Sequence, residues 1–248
     1  MGGHCILIIA LFLYAGAALL YFARKVFIGN ILVSLGIVLN TVFLVLLGYV
    51  EGTWYFALSV NEVLALPLFL ALIALFFFLR GEETPGRIVA IALVLCSLAA
   101  FLPAPVQLLP SVKEQVLVAP MFFLIETVSI SLFIAGAFLA LADIVFPCET
   151  DRATRQCILW GFVLFTISQV LGAVWAFIGW SFPFSWSARH LASASTWCLY
   201  AALMHISYAR IPQRIHAVFA AMGLIPISFI VFHHELSRWL LSLTGISP

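Results

Sequence analysis

Apolar residues in this chain gather into long runs, and polar residues gather into the short breaks between them. Eight runs stand out: Cys5–Phe22, Phe27–Val50, Val63–Leu79, Ile88–Leu102, Val116–Phe146, Cys157–Ile178, Leu191–Tyr208 and Ala217–Phe232. A helix needs about 20 apolar residues to cross the hydrocarbon core of a bilayer. The pattern therefore predicts an all-α, polytopic transmembrane bundle of eight helices. The fourth run is short and the fifth is long, so Val116–Phe146 is expected to start outside the core. The breaks carry turn and charge signals: Arg24-Lys25, Gly81–Arg87 with Pro85, Pro103–Pro110, Pro147–Gln156 and Pro212.

Composition agrees with the pattern. Of 248 residues, 65% are hydrophobic and 8% charged, against about 25% charged in soluble domains. That length suits one membrane domain spanning 1–248. A net charge of +1 leaves no electrostatic footprint for nucleic acid. The cysteines Cys5, Cys96, Cys148, Cys157 and Cys198 form no C-x-x-C pair, and most sit in apolar runs as small hydrophobes. The first run lacks a basic leader, so it is expected to remain as a helix. No internal repeat, phosphate-binding glycine loop or G-x-S-x-G motif occurs. A self-contained catalytic activity is not expected.

Basic residues set the orientation. Breaks one, three, five and seven hold Arg24, Lys25, Arg80, Arg87, Arg152, Arg155, Arg210 and Arg214; the other breaks and the C-terminus hold Lys113, Arg189 and Arg238. Cytoplasmic loops are the ones enriched in Lys and Arg. Both chain ends and the sixth loop, Gly179–His190, are therefore expected on the outer face.

That sixth loop reads Trp180-Ser-Phe-Pro-Phe-Ser-Trp186-Ser187-Ala188-Arg189-His190, with Trp175 before it and Trp197 after it. Aromatic residues anchor membrane proteins at interfaces, which is one reading. The other rests on density: Trp180, Phe182, Phe184 and Trp186 share one short segment and offer an apolar platform for a flat ligand at the membrane surface.

This stretch resembles the WWD domain of cytochrome c assembly proteins, the CcsA/CcmC type of heme-handling membrane protein. The similarity spans about Gln169–Tyr208 and is vague elsewhere. Trp180 and Trp186 fall on the first and last tryptophan positions of the motif, Ala188-Arg189 on its Ala-Arg pair, and Ser193 near its serine. Thr196-Trp-Cys-Leu-Tyr-Ala-Ala-Leu-Met-His205 is similar to the helix that follows. Weaker likenesses lie at Glu51–Glu62 and Leu109–Glu114. The chain also departs from the pattern. Ser187 stands where the motif has its aspartate, Phe184 where it has the middle tryptophan, Ser181 where it has glycine, and Pro120 where an external histidine aligns.

The resemblance implies heme as cofactor. It assigns Trp175, Trp180, Phe184, Trp186, Arg189 and His190 to the macrocycle, and His205, His233 and His234 to iron. On chemistry alone, His205 lies about 14 residues into its span, roughly 20 Å from the outer start. It is either a ligand or a neutral histidine bonded to a neighbouring helix. His233 and His234, beside Glu235, are either an iron site oriented by that carboxylate or a wet interfacial pair. Arg189 either meets a heme propionate through its guanidinium fork or is solvated. His190 is near enough to replace the external ligand. His4 and His216 are expected to be solvated, and Asp143 wet. Glu126, one to two turns inside the fifth helix, is open to proton relay, ligand contact or pairing with a histidine. Glu62 reads as a helix N-terminal carboxylate, and Asn40 and Gln169 as interhelical hydrogen bonders.

Three functions follow. The first is heme presentation to apocytochrome c in cytochrome c biogenesis, with a second membrane subunit as partner. The second is a structural or heme-b/quinone-binding subunit of a larger respiratory complex that keeps the fold. The third is a small-molecule transporter, disfavoured by the lack of repeats and of paired broken spans. The resemblance implies residence in the bacterial cytoplasmic membrane or an equivalent energy-transducing membrane.

Overall fold

The computed structural model describes residues 2–50, 62–101, 118–146, 150–208 and 212–232. Among them every regular element is helical: α1 Gly2–Phe22, α2 Val26–Val50, α3 Glu62–Leu79, α4 Glu83–Ala99, α5 Val118–Val145, α6 Asp151–Trp180, α7 Ala188–Tyr208, α8 Gln213–Met222 and α9 Leu224–Val231. Five stretches are long and apolar enough to cross a membrane: Cys5–Phe22, Val26–Tyr49, Val118–Val145, Asp151–Trp180 and Gln213–Val231. Val63–Leu79 is apolar but shorter. The molecule is a polytopic membrane bundle, as the pattern of runs predicts.

The helices overrun several predicted ends by one or two turns. In α6 the added turn holds Asp151, which pairs with Arg155 at 2.9 Å; in α4 it holds Glu83, which pairs with Arg87 at 2.5 Å. Such i,i+4 pairs let a helix continue beyond its apolar stretch. The last predicted span is two consecutive helices, α8 and α9, separated at Gly223. Pro226 has no N–H to donate one turn back, so the ladder fails there. The N–H of Gly223 bonds instead to the carbonyl of Ala220 at 3.2 Å, a tighter turn.

The first four helices form two hairpins, α1/α2 and α3/α4, whose tight turns contain Arg24 at φ 60° and Gly81 at φ 76°. Arg87 Nε donates to the Tyr21 carbonyl at 3.0 Å and ties the two turns together. The centre is α5, where Ile130, Phe133, Ala135, Leu139 and Ala140 are fully buried. It lies along α6 and also meets α3, α4, α8 and α9. Without a hydrophobic drive between lipid-embedded helices, close approach and interhelical hydrogen bonds hold them. Gly161 of α6 supplies both: its bare Cα faces the Phe133 ring, and its carbonyl accepts from Ser129 Oγ at 2.7 Å. On its other side Phe133 stacks on Tyr200 of α7, centroids 3.6 Å apart and planes 5° from parallel. This stack fixes α7 against the centre and so fixes the start of α7, where the tryptophan loop arrives.

Candidate functional site

The site lies where α6 ends, α7 begins and the first half of α5 passes beneath. α6 stops at Trp180 because Ser181 adopts a left-handed conformation, φ 65°, its N–H bonded to the Phe177 carbonyl at 2.8 Å. That geometry suits glycine, the residue the resemblance places there. The chain then runs through Phe182–Trp186 and re-enters a helix after Ser187. Ser187 caps α7: its Oγ accepts the backbone N–H of His190 at 3.4 Å, the bond that serine and aspartate make at helix starts.

Two clusters of rings connect these parts. Trp175 stacks on Phe122, meets Phe123 edge-on at 5.6 Å, and meets Trp180 edge-on at 5.2 Å. Phe184 meets both Trp186 and His190 edge-on at 5.5 Å. Between these groups and Trp197 lies a pocket of about 560 Å³, lined by Phe122, Gln169, Trp175, Phe184, Arg189, His190 and Trp197 among others. Its size falls in the range of small-molecule sites, about 300–1,000 Å³. Trp197 is held by its indole N–H, which donates to Thr166 Oγ1 at 3.1 Å.

Four of the expected macrocycle residues, Trp175, Phe184, Arg189 and His190, therefore line one pocket. Trp180 backs Trp175 from outside the lining, and Trp186 is 83% exposed at the rim. His205 lies far along α7 from this pocket and is exposed among the described residues. His233 and His234 lie outside the described residues. His216, expected to be solvated, is buried at 4% exposure.

Arg189 has a partner that the sequence left open. Its Nη2 donates to Glu126 Oε2 at 2.7 Å, and Gln169 Nε2 donates to the other carboxylate oxygen at 3.4 Å. Glu126 is completely buried, while Arg189 keeps 26% exposure. The guanidinium also sits 5.1 Å from the Phe123 ring centroid. A carboxylate in a span is tolerated when it is paired, and this pair binds the start of α7 to α5. Thr166, Gln169 and Ala173 follow at one-turn spacing on the α6 face toward α7. Thr166 and Gln169 are the polar members of that face, and both line the pocket.

His190 is the titratable group aimed at chemistry. Its Nδ1 lies 2.9 Å from Ser185 Oγ and 2.7 Å from Ser187 Oγ. Burial first, and the Arg189 charge second, hold its pKa below the ordinary value near 6.5. The imidazole is therefore neutral at pH 7. With Nδ1 turned to the serines, Nε2 is the nitrogen that can face a ligand, as in histidines oriented for metals. Among the described residues no cluster of three His, Cys, Asp or Glu side chains exists. A heme needs none, since one axial histidine can hold its iron. Aromatic walls, a neutral imidazole and a guanidinium at the rim fit that group.

No family model matches this chain. Curated relatives do. The chain is 37% identical over 76 residues to the cytochrome c biogenesis protein CcsA of Prochlorococcus marinus strain MIT 9515, covering 30% of this chain and 24% of the relative. It is 36% identical over 74 residues to CcsA of Thermosynechococcus vestitus, covering 29% and 23%. The matched stretch thus spans about a quarter of each relative's length.

Proposed function

We propose that this chain binds heme in the pocket under the tryptophan loop and serves cytochrome c biogenesis by presenting that heme to apocytochrome c. The observation that carries the reading is the convergence of Trp175, Phe184, Arg189 and His190 on one pocket. The named function of the relatives supports it. In this reading the pocket opens on the outer face, as the basic residues of the odd-numbered breaks imply. The membrane is the bacterial cytoplasmic membrane or an equivalent such as the thylakoid, and the partners are other membrane subunits of the assembly system.

The division of labour follows from the side chains. Trp175, Phe184 and Trp197 offer ring faces to a flat macrocycle and exclude water from it. His190 offers a neutral nitrogen, and the serine hydroxyls at Nδ1 fix its ring. Arg189, anchored by Glu126, places positive charge where a carboxylate of the ligand can meet its remaining N–H groups. Bound heme would supply the iron and the reactive porphyrin edge. His205, His233 and His234 remain further iron ligands of this proposal, at entry and outside.

A second reading has its own support. Ser187 replaces the motif's aspartate, and Arg189 already holds a carboxylate. A heme-b- or quinone-binding subunit that transfers nothing would keep this pocket and lose that loop carboxylate. Hemin titration of the detergent-purified protein tests the shared premise. Truncating Trp175 and Phe184 to alanine is expected to weaken binding by at least about tenfold each, since burying a large apolar side chain contributes roughly 1.5–3 kcal/mol. Unchanged affinity in both variants would remove the pocket from the account. Transfer to an apocytochrome c by a hemin-loaded, binding-competent protein then separates the two readings.

A further inference from the structure

A second cavity lies toward the opposite end of the bundle, between α3, α5 and α6. Its volume is about 700 Å³, and Phe69, Leu72, Ile73, Leu132 and Trp160 form most of its wall. Arg80, at the end of α3, and Gln156, in the second turn of α6, supply its polar edge. The Arg80 guanidinium rests 4.8 Å from the centroid of Phe76, whose ring also lines the cavity. Neighbouring cations at this end are matched internally, Arg87 by Glu83 and Arg155 by Asp151. Among the described residues Arg80 has no carboxylate partner. It sits at the mouth of an apolar crevice without such a partner, two residues from the Glu82 carboxylate.

A ligand complementary to this cavity is apolar along most of its length and anionic at one end. Water fits the wall poorly, and a neutral lipid would leave the cation uncompensated. The α1/α2, α3/α4 and α5/α6 connections share this end, where among the described residues the cations Arg24, Lys25, Arg80, Arg87, Arg152 and Arg155 outnumber the carboxylates Glu82, Glu83, Asp143 and Asp151. Basic pockets between transmembrane helices at such an end take anionic lipid head groups. We propose that this cavity is a binding site for an anionic phospholipid, with its phosphate on Arg80 and Gln156 and an acyl chain along Phe69, Leu72 and Ile73. The inference stands apart from the heme pocket, whose lining shares no residue with it.

The test uses the full chain in neutral detergent with dioleoyl phosphatidylglycerol, dioleoyl phosphatidylcholine or inorganic phosphate. Native mass spectrometry reads retained lipid, and thermal melts read stabilisation. The wild type is expected to retain phosphatidylglycerol and melt several degrees higher with it than with phosphatidylcholine. Arg80→Gln should lose that preference, and Arg80→Lys should keep part of it. Arg24→Gln, at the same end but away from the cavity, should keep all of it. The headgroup comparison reads on the wild type even if Arg80→Gln does not fold. Equal retention of the two lipids, a preference that survives Arg80→Gln, or the full shift with inorganic phosphate alone would each overturn the proposal.

Discussion

Ser187 and Ser181 replace an aspartate and a glycine in the motif that this loop resembles, and the structure assigns each a measurable role. Ser187 still caps α7 and still reaches His190 Nδ1. Ser187→Ala should cost about 1 kcal/mol in thermal or denaturant unfolding, whereas Ser187→Asp should keep the cap. Ser181 holds φ 65° without being glycine. Ser181→Gly should therefore stabilise the protein by about 0.5–1 kcal/mol, the left-handed cost less the added chain entropy. Arg189 is the larger case. Arg189→Ala strips the partner from a fully buried carboxylate and should destabilise by about 3 kcal/mol, the low end for breaking a buried pair because Arg189 is partly exposed. Adding Glu126→Gln should recover much of that loss, which a double-mutant cycle reads. His190 makes the pH prediction. Its folded pKa is lowered, so protonation favours the unfolded chain. Its contribution is complete above about pH 6.5 and is lost as pH falls toward the lower folded value. The acid-side fall in melting temperature should be shallower in His190→Gln than in the wild type.

At the scale of elements, apolar runs and their breaks locate the helices because a span in lipid must satisfy its own backbone. All eight runs match helical stretches; the differences lie at helix ends and in the interior break of the last run at Gly223. The ends depend on local pairs, Asp151–Arg155 and Glu83–Arg87, and the interior break on Gly223 and Pro226, none of which run length registers. The packing of α5 on α6 depends on contacts that a list of runs cannot supply. Gly161→Ala would drive a Cβ to within 2.7 Å of the Phe133 ring. It should cost about 1–3 kcal/mol and loosen the Phe133–Tyr200 stack that seats α7. Reduced melting temperature together with weaker hemin binding is the expected pair of effects.

At the scale of the molecule, the chain places an aromatic pocket with a neutral imidazole at one end and a cation-edged apolar crevice at the other. The sequence pointed to Trp175, Phe184, Arg189 and His190 because they crowd one loop and its flanks. It did not bring Glu126 to Arg189, since 63 positions separate them and only the fold closes that distance. The resemblance assigns His205, His233 and His234 to iron, while the pocket under the loop is lined by His190. The most direct measurement is the visible absorption spectrum of the purified protein reconstituted with hemin, oxidised and reduced, for wild type, His190→Ala and His205→Ala. A Soret band that shifts or vanishes in His190→Ala but persists in His205→Ala is the predicted result. A wild type that takes up no hemin, or a band untouched by His190→Ala, would contradict heme binding through His190.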